Sequence, residues 1–88
     1  MGWTIDISSG AERQLSKLDR STARRLVAYL NQLVDETADP RQRGKALSGP
    51  LAGLWRYRVG DYRLICQLLD DRLVVLVLRL GHRSRVYD

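Results

Sequence analysis

Eighty-eight residues leave room for one domain, residues 1–88, with one modest core, since a chain this short buries only about two-thirds of the surface it exposes when unfolded. A hydrophobic fraction of 44% belongs to a folding chain, and the single cysteine, Cys66, excludes an intrachain disulfide and a cysteine-based metal cluster. The formal charge of +5 is unevenly spread, because residues 1–40 hold five basic and six acidic side chains while residues 41–88 hold ten basic and four acidic, a field that draws nucleic acid or another polyanion to the C-terminal half.

Residues 3–7 alternate apolar and polar and read as a first strand. Ser9 is expected to cap a short helix, with Glu12 three residues on as its partner in a capping box and Ala11, Leu15 and Leu18 along one side. Asp19 and Ser21 offer caps for a second helix, whose stripe of Leu26, Leu30, Leu33, Val34 and Thr37 faces a sheet. Arg24, Arg25, Gln32, Asp35 and Glu36 form its solvated side, and Asp39-Pro40 stops it. Residues 40–53 hold two prolines, three glycines and the cations Arg41, Arg43 and Lys45, and read as a long connecting loop.

Trp55, Tyr57 and Val59 then alternate with Arg56 and Arg58, which marks a strand with one apolar and one charged face. Gly60-Asp61 makes a two-residue turn, with glycine where a type II′ hairpin needs positive φ. In that register Val59 faces Tyr62 and Arg58 faces Arg63. Two guanidiniums directly opposite each other, with Cβ atoms roughly 4.5 to 5.5 Å apart, repel and destabilise the hairpin, so a polyanion bound to that face is the expected compensation.

Residues 62–69 and 73–80 are two further strands joined at Asp70-Asp71-Arg72. They are apolar at both parities, as strands covered on both faces usually are, and two helices cover only one face, so a partner chain is expected over part of the other. Gly81 interrupts the last strand. The tail carries His82, Arg83, Arg85 and Tyr87, a set suited to clamping a nucleotide with Tyr87 stacked on a base. Lys45, Arg79, His82 and Arg85 are candidates for further RNA contacts. The whole is an α+β order of one strand, two helices, a loop and three strands, with an antiparallel sheet packed on the two N-terminal helices. There is no cationic leader followed by an apolar stretch and no apolar run approaching 18 residues, so a cytoplasmic protein without membrane contact is expected.

Familiar catalytic sets are missing. No Gly-rich phosphate loop, no paired carboxylates at a strand end and no cysteine close to a histidine appear, and one histidine excludes a two-histidine ribonuclease mechanism. Electrostatic catalysis on a phosphodiester remains. The 2′-hydroxyl of RNA attacks the adjoining phosphate, leaving a cyclic phosphate and a free 5′-hydroxyl, and the pentavalent transition state gathers negative charge that several arginines stabilise more than the ground state. The scheme uses no metal or cofactor. Its general base stays open, since a guanidinium with a pKa above about 12 holds its proton. The plainer reading of any one arginine is a solvated surface charge; Arg56, Arg58 and Arg63 share one hairpin face, which favours function.

Residues 53–65, then Leu69-Asp70-Asp71, Leu80-Gly81-His82-Arg83 and Val86-Tyr87, closely resemble the RelE toxins of the RelE/ParE toxin-antitoxin superfamily, over essentially the whole chain. The resemblance implies an mRNA interferase that enters the ribosomal A site and cuts the codon there. It also implies neutralisation by a RelB-like antitoxin, in a hetero-oligomeric complex that binds operator DNA through the antitoxin. Family roles then fall on Arg56 and Arg58 as the basic pair before the turn, Arg63 at the transition state, Arg83 at the leaving group and Tyr87 as the base-stacking ring. Some members carry lysines in place of Arg56 and Arg58, which keeps the base open here. Two other readings stand beside it: a ParE-like DNA gyrase poison with the same fold and no nuclease activity, and a basic RNA-binding domain without catalysis.

Overall fold

Local chemistry sets the element boundaries of the computed structural model, which describes residues 2–87; Met1 and Asp88, the ends of the expected domain, lie outside the described residues. Strand β1 (Thr4–Ile7) gives way at Ser8, whose Oγ accepts from the Ala11 N–H at 3.1 Å and caps helix α1 (Ser9–Ser16). The cap thus lies one residue before the expected Ser9. Ser8 Oγ also donates to the Leu78 carbonyl at 3.2 Å, a bond across the fold that no local pattern announces. Helix α2 (Arg20–Glu36) is capped by Asp19, whose carboxylate accepts from the Thr22 N–H and from the Thr22 and Ser21 hydroxyls. Leu26, Leu30 and Leu33 are buried as the helical period requires, and Thr37 past the helix end is buried because its hydroxyl donates to the Leu33 carbonyl.

The expected loop is more ordered than its composition indicates. Two 3-10 turns, Pro40–Arg43 and Gly49–Leu51, flank a two-residue strand β2 (Lys45–Ala46), too short to show any alternation. Strands β3 (Trp55–Val59), β4 (Tyr62–Leu69) and β5 (Val74–His82) follow. The sheet order is β1-β5-β4-β3-β2, antiparallel throughout except that β1 runs parallel to β5. The α+β architecture is the expected one, with β2 as an added edge.

The last strand corrects two expectations. It runs through Gly81, which pairs with Arg63, and on to His82, which pairs with Tyr62. A bulge opposite Ile65 and Cys66 leaves Leu78 as an extra residue between the pairs Ile65–Arg79 and Cys66–Val77. Past it the inward set changes parity, from Val75 and Val77 to Leu80, so part of the doubly apolar pattern records a change of phase in a strand with one buried face.

On the helix side Leu26, Leu30 and Leu33 pack with Tyr57, Leu64, Cys66, Val75, Val77 and Leu80. On the other side Ile65 and Val86 are 1% and 3% exposed, because the C-terminal tail folds back over the sheet, with the Arg83 N–H donating to the Asp61 carbonyl at 2.7 Å. The chain therefore covers part of that face itself. Leu69, Val74 and Leu76, which share the face by register, stay half-buried. No helix among the described residues is long and apolar enough to cross a membrane.

Candidate functional site

The hairpin forms in the expected register, Val59 opposite Tyr62 and Arg58 opposite Arg63. Gly60 takes φ +60, and Asp61 is not among the residues with positive φ, which is the type II′ geometry. Alternation then places Arg58 and Arg63 in one row with Gly81, and Lys45, Arg56, Ile65 and Arg79 in the next row across β2, β3, β4 and β5. Both rows lie on the face away from the helices.

Arg63 is the centre of this face. It is only 8% exposed, and its guanidinium donates to the Gly60 and Tyr62 carbonyls at 3.0 and 2.9 Å, which orients it without neutralising it. Burial pushes its pKa down from the usual arginine value, and the neighbouring charges of Arg58, Arg56 and Arg83 push the same way, while Tyr87 acts in the opposite sense. All five expected site residues are therefore within electrostatic reach of one point. Among the described residues no carboxylate pairs with Arg56, Arg58, Arg63 or Arg83; the ion pairs go instead to Arg41 with Asp39 and Asp70 and to Arg43 with Glu36. Arg56 Nε is buried with no hydrogen-bond partner there. Arg83 and Tyr87 are exposed at the rim.

The outer candidates divide. Lys45 lies opposite Arg56 and is exposed, and Arg85 is exposed on the tail. Arg79 shares the arginine face, and its guanidinium reaches the Val86 carbonyl at 3.5 Å, so it also ties down the tail. His82 is on the helix side of the sheet, edge-on to Tyr62 with ring centroids 5.7 Å apart. The Ser84 N–H donates to its Nδ1, which leaves the proton of a neutral ring on Nε2 and makes His82 a cap for the tail turn. The structure does not bring His82 to the arginines.

Three residues outside the expected set line or brace the site. Arg25, expected on a solvated helix face, extends its guanidinium over the turn, 2.5 Å from where a side chain on Gly60 would begin. Tyr29 and Arg43 join Gly44, Lys45, Arg56 and Arg58 around a cleft of about 290 Å³ at the β3 edge. Tyr29 reads as one more member of the helical stripe and Arg43 as one more loop cation, so the only signal for them is proximity that the fold creates.

The sheet of this small basic α+β domain presents guanidiniums with no carboxylate partner among the described residues. Residues 5–87 match the family described as ParE toxin of type II toxin-antitoxin system, parDE, and the chain belongs to that family. It is 32% identical to toxin RelG of Mycobacterium tuberculosis over 99% of this chain and 98% of that one, and 29% identical to mRNA interferase toxin RelE of Escherichia coli K12 over 97% and 87%. The toxin-antitoxin complex RelBE2 of Mycobacterium tuberculosis contains a chain that superposes with a TM-score of 0.84 at 31% identity, over 96% of this chain and 94% of that one. Within its family the protein is a RelE-like toxin of a type II toxin-antitoxin system.

Proposed function

We propose that the protein cleaves mRNA in the ribosomal A site, by attack of a 2′-hydroxyl on the adjoining phosphate, and is held inactive by a RelB-like antitoxin in the cytoplasm. The carrying observation is Arg63, buried, charged and surrounded by three more arginines, none of them paired with a carboxylate among the described residues. Such an arrangement is unfavourable in the free protein and becomes favourable when a phosphodiester gathers charge among those groups. Arg63 and Arg58 stabilise the equatorial oxygens, Arg83 the leaving 5′-oxygen, and Tyr87 stacks on a neighbouring base. Arg56, whose Nε lacks a partner among the described residues, orders the attacking side. The proton of the 2′-hydroxyl passes to water or ribosomal RNA, because arginine is too weak a base. The half-buried Leu69, Val74 and Leu76 on the open sheet face support a covering antitoxin, and the names of two relatives support the activity.

The family's description as ParE toxin also favours a second reading. For a ParE-like toxin the resemblance implies DNA gyrase as the target. Purified protein added to translating ribosomes is expected to cut the A-site codon, and Arg83→Ala is expected to stop the cut without changing Tm. Intact mRNA together with blocked DNA supercoiling transfers the assignment to gyrase.

A further inference from the structure

The cleft at the β3 edge is a second basic feature beside the arginine face. It is lined by Tyr29, Arg43, Gly44, Lys45, Arg56 and Arg58, and it is continuous with the arginine face, because Arg56 and Arg58 belong to both. Among the described residues only one of its four cations, Arg43, has a carboxylate partner. Lys45 and Arg56 stand directly opposite each other across β2 and β3, a repulsive pair, and Arg56 Nε is buried without a partner. The one acidic group engaged there is Glu36, which meets Arg43 at 3.1 Å with both side chains well exposed, a pairing of the kind that contributes little and yields readily to a better anion.

The wall of the cleft is closely packed against the core. A side chain on Gly44 would begin 2.9 Å from the Tyr57 ring, and Tyr57 is fixed by full burial and by its hydroxyl's bond to the Pro40 carbonyl at 3.0 Å. Tyr29 packs tilted against that ring at 6.2 Å, and burial holds its phenol above the usual pKa, so at neutral pH it is an O–H donor. A neutral donor beside four cations, of which only the exposed Arg43 meets a carboxylate among the described residues, suits a phosphodiester oxygen.

We propose that this cleft binds a phosphate of the same RNA strand adjoining the one that is cut, with Arg43, Lys45 and Tyr29 as binding residues and Arg56 and Arg58 linking the two positions. The proposal rests on the mRNA-cleaving reading above. Its test is a double-substitution cycle on translating ribosomes, crossing the R43Q/K45Q protein with mRNA in which the phosphate on one side or the other of the scissile one is an uncharged methylphosphonate. Either change alone is expected to lower kcat/KM about tenfold, the worth of one charge-assisted contact, and both together no further than one. Additive losses on both sides, or no loss from R43Q/K45Q, overturn the subsite and leave the cleavage reading intact. Weakened binding of an acidic antitoxin peptide by R43Q/K45Q, with cleavage unchanged, assigns the cleft to carboxylates and also overturns it. Unmodified mRNA left whole by the wild-type toxin overturns both readings.

Discussion

Arg63 concentrates the tension between stability and function. Its burial disfavours the charge it carries, and three neighbouring arginines add to the cost. Arg63→Met keeps much of the volume and removes the charge, so cleavage is expected to disappear while Tm, by calorimetry, stays level or rises. A marked fall in Tm means the guanidinium is a structural fastener for its two carbonyls. The pairing of Arg58 with Arg63 was legible in the sequence because period-two alternation and a two-residue turn leave one register. The cleft residues Tyr29 and Arg43 were not, since their neighbours come from segments far apart in the chain.

At the scale of single elements, two positions test whether backbone conformation holds the site. Gly60 needs its φ of +60, and the Arg25 guanidinium fills the space where a side chain would go. Gly60→Ala is expected to cost about 1 to 2 kcal/mol in urea unfolding and to lower cleavage, because the Gly60 carbonyl orients Arg63. Leu73 runs the opposite way, an exposed non-glycine residue at φ 54 in the β4–β5 turn. Leu73→Gly is expected to stabilise by about 1 kcal/mol, a Tm rise of roughly 4–8 °C for a domain of this size, with cleavage unchanged. Helices and the three long strands were readable from caps and periodicity. The two-residue β2, the shift of the first cap to Ser8 and the bulge at Leu78 were not, because each depends on a partner strand.

For the whole molecule, titration sets the pH range of stability. Hydrogen bonds from Thr22 hold the Asp19 carboxyl below its usual pKa, and those from Arg41 do the same for Asp70. Their contribution is complete above the unfolded carboxylate pKa near 4 and is lost as pH falls through the folded values. Cys66 acts at the other end. Burial pushes its thiol up to about 12, so above roughly pH 9 the unfolded chain releases a proton that the folded chain keeps, and stability falls as pH rises. Calorimetric Tm is expected to be flat between about pH 5 and 8 and to drop on both sides, with the acid drop softened in Asp70→Asn. A Tm that keeps rising below pH 4 contradicts this assignment. The tail that folds over the sheet is the part of the whole that composition hid, since its anchor, Val86, is one isolated apolar residue among polar ones.

The central claim is that unpaired arginines on the sheet serve an RNA phosphate attacked by its neighbouring 2′-hydroxyl. The most direct measurement places a single 2′-deoxynucleotide at the cleavage position of an mRNA held in the ribosomal A site and follows the products after toxin is added. Loss of the cut at that position alone, with a cyclic phosphate and a 5′-hydroxyl on the unmodified control, is the predicted result. An undiminished cut at the deoxy position, or an uncut control, contradicts it.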